Sequence, residues 1–109
     1  MKLAEVLDQL EALGNTPLES GAMSGPNGRY CAAAHMLRII GAFPDDDSTT
    51  EGYEIFTYCF GFNADNVWSI ADNLEDRTAA ASARALRTHL ADRLDRPVQV
   101  SAEGSLHGV

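Results

Sequence analysis

Apolar side chains recur every three to four residues along most of the chain, and this spacing predicts helices. In the first segment they alternate with charged and amide side chains, and the apolar positions are Leu3, Val6, Leu7, Leu10 and Leu13. Such a stripe is typical of an amphipathic helix with one buried face. Gly14 follows directly and predicts the end of this helix, because glycine adopts positive φ without strain.

The segment from Tyr30 to Ile40 is apolar on nearly every side, and Arg38 is its only charged residue. A helix of this composition packs against neighbours in several directions. We therefore predict a central helix that ends at Gly41, with the first and last helices packed on it. The loop before it, residues 14–28, is rich in glycine and proline; it either carries a function or is mobile.

Capping residues predict three more helices. Ser48 to Glu51 matches a capping box, which favours a helix over the aromatic residues 53–60, although their composition would also suit a strand. Asp65 is expected to cap a short helix that runs through Leu74. Thr78 is expected to cap the last helix, Ala79 to Leu94, which stops before a proline.

These elements predict a mainly α fold, a compact bundle of four to five helices in a single domain over residues 1–109. A chain of 109 residues can bury one modest core. Residues 98–100 are compatible with a short C-terminal strand. Residues 101–109 have the composition of a flexible tail.

The charge balance narrows the classes of partner. The formal net charge is −8, from 16 acidic and 8 basic side chains, and this disfavours nucleic acids and anionic membranes. The charge either attracts a basic protein partner or only keeps the protein soluble. No apolar run reaches the ~18 residues of a membrane span, and no signal peptide is evident. With two cysteines, these features favour a reducing, cytoplasmic setting.

Cys31 is the candidate nucleophile of the sequence. It falls in the predicted first turn of the central helix, where the helix dipole lowers a thiol pKa, and His35 lies one turn later as a potential base. The neighbouring alanines favour the alternative that Cys31 is a small buried core residue. We therefore predict no catalytic residue, with Cys31 and His35 kept as the enzyme alternative.

No metal or cofactor is predicted. Cys31, His35 and Cys59 would supply three ligands, but no recognised ligand spacing supports such a site. The acidic run at 45–47 begins like a calcium loop, yet Thr50 stands where the loop needs glycine. Its members remain candidate contacts for a basic partner: Asp45, Asp46 and Asp47.

Further binding candidates lie near the predicted fourth helix. Asp72, Asn73 and Arg77 form either a polar recognition corner or an ordinary linker before a helix cap. Trp68 belongs to an aromatic-rich stretch, 53–68, that is mostly core unless one face stays exposed as an interaction patch.

Two segments resemble a group of small uncharacterised proteins of actinobacteria and their phages. The first, residues 28–37, matches a Gly…Cys-Ala helix start, although Ala34 stands where the group has glycine. The second, residues 72–78, matches an Asn-Asp…Arg-Thr corner with the first two residues exchanged. The resemblance implies an all-helical fold and a phage or actinobacterial setting, and it implies no activity.

The leading hypothesis is a non-enzymatic acidic protein-binding module, such as a phage-encoded modulator of a host protein. Two alternatives stay open: a cysteine-dependent enzyme built on Cys31, and a structural protein that self-associates through its aromatic segment. The sequence leaves the oligomeric state open.

Overall fold

Five α-helices and one short 3-10 turn build the part of the chain that the structure describes. The structure is a computed structural model, and it describes residues 1–20, 22–25, 28–44 and 49–99. The helices are α1 (Leu3–Ala12), α2 (Ala32–Ile39), α3 (Thr49–Phe60), α4 (Asp65–Ala71) and α5 (Ala79–His89), and the 3-10 turn is Ala91–Arg93. The predicted mainly α bundle is confirmed.

The ends of the helices follow the local signals of the sequence. Gly14 has φ +64° and follows the last turn of α1, as predicted. Gly41 has φ +75°, and α2 ends in a Schellman motif in which Ala42 N–H donates to Leu37 O at 2.9 Å. Thr78 caps α5, since its hydroxyl oxygen accepts from Ala81 N–H at 3.3 Å. These signals act over four or five residues, which is why sequence alone locates them.

Helix α2 is central, because it packs against α1, α3 and α4. Its residues 32–37 are all buried. The last helix differs from the prediction: α5 packs mainly on α1 and α4. Its buried alanine, serine and leucine side chains meet the leucine stripe of α1, and exposed Arg84 and half-buried Arg87 form ion pairs there with acidic side chains of α1.

Three predicted helix boundaries and the predicted C-terminal strand differ from the structure. Asp65 does not cap α4; Ala64 precedes the helix and Asp65 is its first residue, with its carboxylate turned to another helix. Helix α4 ends at Ala71 and does not reach Leu74, and α5 gives way to a 3-10 turn before Leu94. The short strand expected at 98–100 is not formed at Val98 and Gln99, whose N–H groups donate to Met1 and Cys59 carbonyls.

The loop between α1 and α2 is tied down where the structure describes it. Leu18 N–H donates to Arg77 O at 3.0 Å, and Cys31 N–H donates to Met23 O at 2.8 Å. The Met23 side chain is fully buried. The loop is therefore anchored to the start of α5 and to the entry of α2. Several predicted features lie outside the described residues: the helix cap at Ser48, Val100 and the tail 101–109.

In the described ranges, no helix combines the length and the apolarity that a membrane crossing needs.

Candidate functional site

Cys31 lies at the entry of α2 and is held there by two hydrogen bonds. It is the N-cap residue, because α2 begins at Ala32, two residues after the predicted start at Tyr30, and its backbone is extended at φ −75° and ψ 171°. Its Sγ accepts from Ala34 N–H at 3.4 Å and from the Trp68 indole N–H at 3.1 Å. The side chain is 1% exposed. The thiol therefore caps α2 and joins it to α4.

The surroundings of Cys31 keep the thiol protonated. Burial raises its pKa above the ordinary value, and the hydrogen bonds from Ala34 and Trp68 oppose that shift without cancelling it. A helix N-terminus lowers a thiol pKa when solvent reaches the group, but here desolvation is the larger effect. A protonated thiol inaccessible to solvent has the properties of a structural cap.

His35 is not arranged as a base for Cys31. Its ring meets the edge of the Tyr30 ring with 5.6 Å between centroids, and Nε2 is buried without a hydrogen-bond partner among the described residues. Burial, with a smaller effect of the Arg38 charge, lowers the pKa of the imidazole. Among the described residues, no hydrogen bond joins the Cys31 thiol to the His35 imidazole.

The indole that binds the thiol also meets an aromatic partner from α3. The rings of Tyr53 and Trp68 lie 4.9 Å apart between centroids and cross at 65°, an edge-to-face contact. Both side chains are half-buried. The Tyr53 hydroxyl donates to Asp65 Oδ1 at 3.2 Å. Three side chains from α3 and α4 thus form a corner that is partly open to solvent.

Asp72 completes this corner. Asp65, Trp68 and Asp72 follow the spacing i, i+3 and i+7, which places them on one face of α4 and its C-cap. The pKa of Tyr53 is raised to about 12 by burial and by its bond to Asp65; the charges of Asp65 and Asp72, and that of Cys31 once its thiol ionises at high pH, add to the shift. We call Tyr53, Asp65, Trp68 and Asp72 the acidic aromatic corner.

The corner lies in the most negative part of the chain. Nine of the sixteen acidic residues and none of the eight basic ones fall between Ile39 and Asp76. The rest of the chain is nearly balanced, with seven acidic and eight basic residues. Helices α3 and α4 both belong to the acidic segment. The net negative charge of the protein is therefore concentrated in one segment of the sequence.

Other predicted binding residues lie apart from the corner or have structural partners. Asn73 Nδ2 donates to Ser69 O at 2.6 Å, which satisfies a carbonyl at the end of α4. Arg77 is exposed, and its backbone carbonyl binds the α1–α2 loop. The acidic run Asp45, Asp46 and Asp47 lies outside the described residues.

The aromatic segment is mostly core. Phe56, Phe60 and Phe62 are buried and contact one another, whereas Tyr58 is 55% exposed. Isolated exposed apolar side chains such as Tyr58 are common on monomeric proteins. The surface available for self-association within the described aromatic segment is therefore small.

Sequence reasoning identified Trp68 and Asp72 as binding candidates and missed their partners. Tyr53 was expected to be core and Asp65 a helix cap. The spacing of Asp65, Trp68 and Asp72 was the available signal, because it predicts a shared helix face. Over the described ranges, no three His, Cys, Asp or Glu side chains gather closely enough to hold a metal ion, so Cys31, His35 and Cys59 do not form a ligand set.

Comparison with known proteins finds no protein family, no curated protein and no solved structure that matches this chain.

Proposed function

We propose that the protein is a non-enzymatic binding module whose partner is a protein with a basic surface. The observation that carries this proposal is the concentration of negative charge: residues 39–76 hold nine acidic side chains and no basic one. A surface of one sign attracts an oppositely charged partner, speeds encounter and repels partners of like charge. A phage-encoded modulator of a host protein would be one protein of this kind.

Two features of the site support binding over catalysis. The thiol of Cys31 is buried and has a raised pKa, so it lacks the exposure and thiolate character of a nucleophile. The half-buried aromatic pair Tyr53 and Trp68 lies beside the carboxylates, and aromatic side chains are enriched at binding hot spots.

The same charge argues against self-association through the α3–α4 face. Two copies would bring like-charged segments together, and an interface of that kind requires compensating contacts. Tyr58 is the one strongly exposed aromatic residue of the segment. A basic partner removes the repulsion and uses the same surface.

The proposal is tested with peptides of opposite charge. We expect the protein to bind a hexalysine peptide saturably in calorimetry, with an affinity that falls as salt is added, and to leave a hexaglutamate peptide unbound. Amide shifts in the NMR spectrum should concentrate in residues 49–76. Absence of saturable hexalysine binding at low salt would overturn the proposal.

Two matched double variants distinguish the effect of charge in the acidic segment from the effect of net charge on peptide binding. Glu54→Gln with Glu75→Gln removes two exposed charges from the acidic segment, and Asp92→Asn with Asp95→Asn removes two exposed charges outside it. We expect the first double variant to weaken hexalysine binding more than the second. Equal weakening would mean that only net charge matters, which contradicts a defined binding surface.

A further inference from the structure

The acidic aromatic corner presents two kinds of group that together suit one type of cation. The Tyr53 and Trp68 rings meet at 65°, and both side chains are half-buried, so the pair is partly accessible to solvent. Asp65 and Asp72 flank Trp68 on the same face of α4. A ligand at the corner would therefore meet aromatic surface and carboxylate oxygens at once.

The negative charge of the corner has no cationic partner in the described part of the chain. The ion pairs found there join Arg84 and Arg87 of α5 to acidic residues of α1. Neither Asp65 nor Asp72 takes part in an ion pair among the described residues. The basic residues closest in sequence are Arg38 and Arg77, at the borders of the acidic segment.

The state of Tyr53 fits a cationic ligand. Its hydroxyl is protonated at neutral pH, as in any tyrosine, and donates to Asp65. The hydrogen bond fixes the ring against Trp68, and the indole is itself fixed by its bond to Cys31. A pre-ordered site loses less side-chain entropy when a ligand binds.

Resting on the basic partner proposed above, we infer that this corner binds the guanidinium group of an arginine side chain of that partner. A guanidinium is planar, stacks on aromatic faces and donates to carboxylates through a fork of N–H groups. The lysine ammonium is a more strongly hydrated point charge without a planar face. The corner thus selects arginine over lysine, and the wider acidic segment supplies affinity for either.

The inference is tested by comparing peptides of equal length and charge. We expect a hexaarginine peptide to bind about two- to fivefold more tightly than a hexalysine peptide, the difference that an exposed cation–π contact provides. Trp68 is the only tryptophan, so its fluorescence and its indole N–H resonance report directly on the corner. Both signals should change more with hexaarginine. Equal affinities with no change at the indole would overturn the inference.

Variants identify the groups responsible. Asp65→Asn with Asp72→Asn should abolish the preference for arginine, whereas Asp92→Asn with Asp95→Asn, which removes the same charge, should retain it. Tyr53→Leu removes one ring and leaves both carboxylates, and it should also reduce the preference. Circular dichroism establishes that each variant is folded before its affinity is measured.

The outcomes distinguish this inference from the proposed function. If the preference survives in both Asp65→Asn with Asp72→Asn and Tyr53→Leu, the assignment of the corner is wrong. Should Glu54→Gln with Glu75→Gln still weaken hexalysine binding in that case, the basic-partner function stands. If neither basic peptide binds the unmodified protein, both are wrong.

Discussion

The indole N–H of Trp68 donates to the same sulfur atom of Cys31 that caps α2. The two residues are 37 positions apart in the sequence, and the bond links the entry of α2 to the middle of α4. One atom thereby satisfies two donors in a nearly dry environment. The sulfur acceptor contributes to stability mainly because its loss would leave both N–H donors without a partner.

We expect Cys31→Ala to destabilise the protein by about 2 kcal/mol, since it removes a helix cap and leaves the Trp68 N–H and the Ala34 N–H unsatisfied. Cys31→Ser should cost clearly less, because the hydroxyl oxygen remains an acceptor at the cap. Urea unfolding followed by circular dichroism measures both. Equal losses in the two variants would show that the acceptor atom contributes little.

Alkylation should reveal how accessible the Cys31 thiol is. Burial raises its pKa, so the thiolate fraction at neutral pH is below that of a free thiol, and the side chain is 1% exposed. We expect Cys31 to react far more slowly with iodoacetamide than glutathione does, and the rate to rise as urea unfolds the chain. Mass spectrometry locates the label. Rapid labelling of the folded protein near neutral pH would instead support the cysteine-enzyme alternative.

His35 should make the protein sensitive to mild acid. Its pKa is lowered in the fold by burial and by Arg38, so below the ordinary value of 6.5 the unfolded chain binds more protons than the folded one. Stability contributed by the neutral imidazole is present above that pH and is lost as the pH falls. We expect the free energy of unfolding to decrease between about pH 7 and pH 5.

His35→Gln should flatten this pH dependence, because the glutamine side chain does not titrate. His89→Gln is the matched control, since His89 is exposed on α5. If the free energy of unfolding of His35→Gln still falls as steeply with pH, the pH dependence does not come from His35.

Tyr53 should titrate at a higher pH than an ordinary tyrosine. Its pKa is raised to about 12, so the unfolded chain loses the phenol proton at lower pH than the folded one. The contribution of the protonated Tyr53 phenol to the free energy of unfolding is complete below the ordinary pKa of 10. It is lost as the pH rises through about 12. Tyrosinate absorbance should show a late step that Tyr53→Phe lacks. Persistence of that step in the variant would assign it to another residue.

The ion pairs between α1 and α5 should contribute a modest, salt-dependent stability. Arg87 contacts both Asp8 and Glu11, and its side chain is 31% exposed, whereas Arg84 reaches only Glu11 at 3.8 Å and is 60% exposed. We expect Arg87→Ala to cost about 0.5–1 kcal/mol and Arg84→Ala less. Thermal unfolding at low and high salt measures both. If the stability lost in Arg87→Ala is the same at high salt, the loss comes from packing and not from the ion pairs.

The elements that sequence reasoning located correctly are those with local causes. The stripe of α1, the stops at Gly14 and Gly41 and the Thr78 cap each depend on residues within one or two turns. Asp65 shows where local reasoning failed. An aspartate before a helix is a common cap, but here its carboxylate accepts from Tyr53, twelve residues earlier on another helix.

The sequence by itself determined that the chain forms helices, where most of them end, and that the negative charge exceeds the positive. Those properties follow from periodicity, capping and composition, which act along the chain. Only the tertiary structure decided that Cys31 is a buried cap bound by Trp68, and that the Tyr53 ring packs on the indole while its hydroxyl binds Asp65. The physical reason is that burial and contacts between helices depend on how the helices pack, and packing sets both the pKa of each group and its partners.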